Sequence, residues 1–199
     1  MYHNEGPLDH LIRMLSGLPG LGNRSARRIA LHLLSKRSTS MLPLARALEE
    51  AAENVKDCGV CGNLDMRNPC GICTDPKRDR SKICVVARVS DVWAIERTHA
   101  YKGLYHVLGG LLSALDGVGP EDLRIEKLLE RSKEGQCEEI ILGLSATVDG
   151  QSTAHYIADR LSSADVKITR LAHGVPVGGE LDYLDDGTIT TALKSRSAA

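Results

Sequence analysis

The sequence predicts a multi-part α/β protein: two N-terminal helices, a four-cysteine module, a parallel sheet covered by helices, and a C-terminal β-hairpin tail. Three observations predict it. Apolar residues recur at helical spacing on both sides of a Pro-Gly-x-Gly break near the N-terminus, two C-x-x-C pairs stand close together mid-chain, and from about residue 81 strand and helix patterns alternate without interruption. At 199 residues and 42% hydrophobic content, the chain can bury the core of one good-sized domain or two small ones.

The first element is residues 1–53. Leu8, Leu11, Ile12, Leu15 and Leu18 fall at helical spacing before the break, and Ala26, Ile29, Ala30, Leu33 and Leu34 after it, so "LPGLG" is the turn between two amphipathic helices. Pro-Gly-x-Gly leaves little side chain where the second helix starts. Backbone N–H groups near Gly20 and Gly22 can approach a phosphate there, helped by the helix dipole. Arg24, Arg27 and Arg28 lie on the first turns of that helix, within reach of adjacent phosphates of one strand. The alternative is a plain pair of antiparallel helices with arginines on a solvated face.

Charge bears on the same point. The formal net charge is −1, so no overall basic field exists to hold a polyanion, and any nucleic-acid contact is local. Residues 1–56 carry eight Lys/Arg against five Asp/Glu, a surplus of three, whereas residues 173–199 carry two against four. With no Phe, one Trp and five Tyr, stacking platforms for single-stranded bases are scarce, which counts against OB-type and RRM-type readers.

The second element, residues 54–80, contains "CGVCGNLDMRNPCGIC". Cys58 and Cys61 form one C-x-x-C, Cys70 and Cys73 another, with eight residues between the pairs. Four thiolates at this spacing suit tetrahedral Zn²⁺, and because the protein fills all four positions the ion folds the segment and does not catalyse. The competing readings are an iron–sulfur cluster and a redox C-x-x-C, which wants a thioredoxin-like strand before it and has no use for two copies. Cys84, inside "ICVVA", reads as a core residue, and Cys137 has no partner nearby.

The third element is residues 81–172. Strands are expected at 82–87, 104–110, 138–144 and 166–172, and helices at 90–98, 125–134 and 149–163, an alternation that predicts a parallel sheet. Function in such a sheet gathers at the carboxyl ends of the strands. Ser90 or Asp91 is expected to cap the first of these helices and Asp149 the third. His106 and His155 fall on a strand and a helix and His173 beside "GVPVGG", with no Cys or carboxylate at ligand spacing. In the last element, residues 173–199, Leu181 and Tyr183 are expected to lead into an Asp186-Gly187 turn from which Ile189 returns, a β-hairpin.

No apolar run is long enough for a membrane span, and no basic region precedes an apolar core at the N-terminus. These features predict a cytoplasmic protein without membrane contact, in which thiols stay reduced.

The N-terminal stretch resembles the helix-hairpin-helix motif, which grips the DNA backbone without reading bases. The alternating domain resembles the Toprim domain, the Mg²⁺-binding module of topoisomerases, primases and some nucleases. That resemblance implies a Glu at the end of the first strand, where this sequence has Ala87, and paired acidic residues after a later one, where it has Asp149 followed by Gln151. One carboxylate does not orient catalytic Mg²⁺, so the domain reads as a non-catalytic scaffold; the alternative is a Mg²⁺-dependent Toprim nuclease or topoisomerase-like enzyme, and a weaker one a zinc-bearing accessory factor. The tail has an acidic "LDYLDD" but the chain has no G-x-x-x-x-G-K-[ST] loop to cradle phosphates, which argues against ATP hydrolysis.

The ordered set, with "ICVVARVSDVWAIE", "LDGVGPEDL" and "AHGVPVGGELDY", resembles the bacterial RecR family of recombination mediators over essentially the whole chain. The resemblance implies a DNA-repair role with RecO and RecF, helping RecA displace single-strand-binding protein at gaps and at single-stranded to duplex junctions. It also implies a zinc cofactor, a homodimer or ring-like homotetramer held by the N-terminal helices and the tail, a partner contact on the Toprim face near Asp149, and association with the nucleoid.

Overall fold

Pro7 occupies the first turn of α1 (Pro7–Ser16), where its missing N–H costs nothing, and Asp9 near the start and Arg13 near the end complement the helix dipole. The computed structural model describes residues 6–133, 137–172 and 174–195. The chain divides into two compact units, up to Val55 and from Lys56 onward.

In the first unit α1 packs against α2 (Asn23–Ser35) through Ala26, Ala30 and Leu33. The two alanines are fully buried, and their small side chains let the helix axes approach closely. A π-helical turn over Arg37–Met41 leads into α3 (Leu42–Asn54), which buries no residue. Met14, Leu18, Leu31, Leu42 and Leu48 are each more than half exposed, a large apolar surface for so small a unit.

The second unit begins with a short antiparallel ribbon, β1 (Lys56–Asp57) against β2 (Leu64–Asp65), followed by α4 (Gly71–Thr74). The expected alternation follows: β3 (Asp79–Val86), α5 (Val89–Glu96), β4 (Gly103–Val107), α6 (Ile125–Lys133), β5 (Glu139–Leu142), α7 (Val148–Arg160) and β6 (Lys167–Arg170). All strands run parallel in the order β4-β3-β5-β6, with Val85 opposite His106 on one side and Leu142 on the other.

The two-residue period of β3 assigns its faces. Ile83 and Val85 join Leu128 and Leu129 of α6, Ile157 of α7, and Ile140, whereas Cys84 and Val86 join Val92 of α5, Tyr105 and Val107. Each large aliphatic side chain so buried contributes roughly 1.5–3 kcal/mol. Ile72 of α4 packs on the second cluster as well as on the cysteines, so the cysteine module shares the core of the sheet.

β4 is an edge strand, and three of its outward backbone groups are taken. Val107 N–H donates to Cys61 O at 2.7 Å, Arg131 donates to Tyr105 O at 2.8 Å and Arg78 to Gly103 O at 3.3 Å. These contacts blunt the edge against pairing with another chain. Arg78 also grips Glu96 through both guanidinium nitrogens, and Tyr105 donates to the same carboxylate at 2.7 Å. The Arg78 pairing holds Glu96 below the usual carboxylate range.

Two local expectations are corrected. Asp149 does not cap the third helix of this domain: Thr147 does, accepting Gly150 N–H at 3.2 Å, while Asp149 sits exposed within the first turn. In the first, Asp91 reaches back to accept Arg88 N–H at 2.8 Å, and Ser90 lies inside the helix. The C-terminal β-hairpin is also absent among the described residues. Leu181–Tyr183 form a 3-10 turn and Asp186–Lys194 form α8, because Asp185 accepts both Thr188 N–H at 3.0 Å and Thr188 Oγ1–H at 2.7 Å and so caps a helix where a strand turn was expected. His173 and residues 196–199 lie outside the described residues.

Candidate metal centre and nucleic-acid interface

Two tight turns build the metal centre. Gly62 N–H donates to Cys58 O at 2.9 Å and Cys58 N–H to Asn63 O at 2.7 Å, closing the first turn around Cys58 and Cys61. Asp65 holds the second: its carboxylate accepts Arg67 N–H at 3.0 Å and Gly71 N–H at 2.7 Å, setting Cys70 at the start of α4 and Cys73 within it. Gly62 adopts φ +78°, and a Cβ there would lie 2.9 Å from Val107 O, so the close seating of the turn on β4 requires glycine.

All four cysteines are buried and their sulfur atoms lie within 4.8 Å of one another. The Cys61–Cys70 and Cys58–Cys73 sulfur distances are 3.6 and 4.0 Å. A Zn–S bond of about 2.3 Å in a tetrahedron sets its edges at about 3.8 Å, so the set fits zinc. Backbone N–H groups of Asn63 and Cys70 face Cys61 and Cys58 sulfur at 3.5 and 3.3 Å, offsetting thiolate charge. Hydrogen bonding from Cys73 brings Cys61 down to about 5, and the same contact pushes Cys73 up. Burial raises Cys70 to about 11. Four buried sulfurs that can each become a thiolate ligand are what a divalent cation binds and neutralises. Cys84 is buried in the sheet, its thiol pushed up to about 12 by desolvation, which agrees with a core role.

At the N-terminal hairpin Gly20 takes φ +79° and Gly22 precedes the first turn of α2 in extended backbone, with nothing within 4 Å of a Cβ on either. Arg24, Arg27 and Arg28 are all exposed. Arg24 and Arg28 line one cleft with Ser25, because residues four apart share a helix face, and Arg27 stands to its side.

At the carboxyl ends of β3 and β5 a cleft of about 420 Å³ is lined by Ala87, Arg88, Asp91, Gly143 and Ser145. Asp149 lies outside that lining. Among the described residues the four cysteines are the one group of three or more His, Cys, Asp or Glu placed to share a metal. Sequence reasoning missed the surroundings of His106, whose buried imidazole meets Arg124 O at 2.8 Å and Arg131 at 3.1 Å, as well as the convergence of Arg88 and Arg124 on one cleft. Their partners come from distant segments, and no spacing signal marks them.

Taken together, fold and site define a zinc-binding protein that joins a helix-hairpin-helix to a Toprim-type sheet. Family models match in the same order: the RecR helix-hairpin-helix matches residues 8–52, the RecR four-cysteine zinc finger domain 55–75, the Toprim domain 81–172 and the RecR C-terminal region 174–197. Curated relatives named "Recombination protein RecR" include those of Rhodopseudomonas palustris (strain BisB18), 61% identical over 96% of both chains, and Nitrobacter hamburgensis, 59% identical over the same share. That of Bradyrhizobium sp. (strain BTAi1) is 59% identical over 96% of this chain and 97% of its own. The chain belongs to the RecR family of recombination proteins. No helix among the described residues is long and apolar enough to cross a membrane.

Proposed function

We propose that the protein is a non-catalytic mediator of recombinational DNA repair that binds duplex, gapped and junction DNA and acts with RecO and RecF to help load RecA on DNA coated by single-strand-binding protein. The roles divide along the chain. Residues 1–53 grip DNA through Gly20, Gly22, Arg24, Arg27 and Arg28; residues 54–80 hold zinc through Cys58, Cys61, Cys70 and Cys73. Residues 81–172 are the scaffold, with Asp149 on the face offered to a partner protein, and residues 173–199 join subunits. The observation that carries the reading is the hairpin, whose turn bares backbone in front of a helix bearing three exposed arginines. The unburied apolar residues of the N-terminal unit fit burial against a second copy, in a homodimer or ring-like homotetramer. A ring adds up modest basic surfaces around one polyanion, which answers the net charge of −1. A place at the nucleoid in the cytoplasm follows from that role.

The test is anisotropy of labelled gapped DNA over a salt series, with and without RecO, comparing the wild type with Arg24→Ala/Arg28→Ala. The variant is expected to bind roughly tenfold more weakly, with a salt slope shallower by up to about two, since each lost phosphate contact removes about 0.9. Unchanged affinity and slope refute the hairpin as the DNA site. Gapped DNA incubated with Mg²⁺ is expected to stay intact; nicking that disappears in Asp149→Ala establishes the nuclease reading instead.

A further inference from the structure

A second cleft, of about 320 Å³, lies between the zinc turn and the carboxyl ends of β3 and β4, lined by Asp57, Gly62, Arg88, Val107, Gly109 and Arg124. Two arginines from loops far apart in the chain meet there. Their backbones are held firmly: Arg88 N–H is bound by Asp91, Arg124 N–H donates to Leu108 O at 3.0 Å, and Arg124 O accepts from His106. Their guanidinium groups enter no ion pair or hydrogen bond with an acceptor among the described residues. Arg124 rests against Gly62, where only a residue without a Cβ leaves it room, and Arg88 is exposed at the rim. Asp57 is the one carboxylate in the lining, so the cleft keeps a net positive charge, unlike the chain as a whole. Two unpaired guanidinium groups on anchored backbones in a concave site focus a field on an anion, and their planar forks suit phosphate oxygens.

We propose that this cleft is a second phosphate-binding site for the DNA backbone, with Arg88 and Arg124 as its cationic groups. The proposal rests on the reading that the chain binds DNA, and places a contact on the second unit, separate from the N-terminal hairpin. At the end of β3 the chain thus offers Ala87 and an arginine, a direct cation for phosphate in place of a carboxylate that would hold one.

The experiment compares Arg88→Glu, Arg88→Ala/Arg124→Ala, Asp57→Asn and the hairpin variant Arg24→Ala/Arg28→Ala for binding to labelled gapped DNA over a salt series, with zinc content and thermal midpoint measured on each. Arg88→Glu is expected to weaken binding about tenfold and to make the salt slope shallower, with zinc and thermal midpoint unchanged, and Asp57→Asn to tighten binding. Arg88 is exposed, so its variant stays informative even where loss of Arg124 disturbs folding. Wild-type affinity and slope in Arg88→Glu, beside a loss in the hairpin variant, overturn this site and leave the hairpin standing. A loss in Arg88→Glu with none in the hairpin variant does the reverse. A wild type that binds no DNA removes both. Binding of inorganic pyrophosphate that Arg88→Glu abolishes, without any change in DNA binding, assigns the cleft to a free phosphate compound and overturns the DNA contact.

Discussion

Replacing Cys70 with serine is expected to abolish zinc binding and to lower stability by several kcal/mol, against an apparent zinc-binding free energy of roughly 10–16 kcal/mol in small modules. Cys70 contributes more than its sulfur atom. Its N–H faces Cys58 sulfur at 3.3 Å and its position begins α4, so losing the ion releases both the second turn and that helix. The loss does not stop at the cysteines, because Ile72 packs on the face of the sheet formed by Cys84, Val86 and Tyr105, and Cys61 O covers the free edge of β4. Metal analysis of the purified wild type should find one zinc per chain, and urea unfolding of the variant should show the deficit. A wild type without zinc, or a serine variant of equal stability, contradicts the assignment.

Acidification is the second large effect expected. His106 is fully buried on β4, and desolvation, with the positive charge of Arg131 added, brings it down to about 4 from 6.5. The neutral ring suits its partners: with the proton on Nε2 it donates to Arg124 O at 2.8 Å, and Nδ1 accepts from Arg131 at 3.1 Å. A second proton would remove that acceptor and set two cations side by side. Because the unfolded chain takes the proton first, stability is fully present above about pH 6.5 and is lost as pH falls toward 4, amounting to about 3 kcal/mol at 1.36 kcal/mol per pKa unit. Glu96, held low by Arg78, loses stability in the same direction, as does acid release of zinc. The comparison with His106→Gln isolates the imidazole, since the other contributions occur in both proteins. Urea unfolding at pH 7.5 and 4.5 should show a drop roughly 2–3 kcal/mol larger in the wild type, most of the full contribution; equal drops contradict a neutral buried His106.

Much of the molecule was legible in short stretches. The apolar run "KICVVA" marked a buried strand with Cys84 in the core, and Ile83, Cys84, Val85 and Val86 are all buried there. The C-x-x-C spacing identified Cys58, Cys61, Cys70 and Cys73 as one set, since each pair closes a local turn and four buried sulfurs then meet. The Pro-Gly-x-Gly break located the hairpin and its open backbone. Where local signals competed, reading from sequence failed. Asp186-Gly187 resembles a hairpin turn, but Asp185 next to it caps a helix, and no described strand lies beside that segment to reward a hairpin. At residue 149 an acidic side chain near a helix start suggested a cap that Thr147 supplies from two residues earlier.

The sequence by itself determined the order of parts, the parallel alternation, the zinc set and the open glycine turn ahead of α2, because periodicity, ligand spacing and glycine placement act over a few residues. Only the tertiary structure decided that the zinc turn pairs with the edge of β4 through Cys61 and Val107, that buried His106 bridges Arg124 and Arg131, and that Arg88 and Arg124 share a cleft. Those contacts join residues far apart in the chain, and their strength comes from burial and hydrogen-bond geometry that exist only once the sheet has formed.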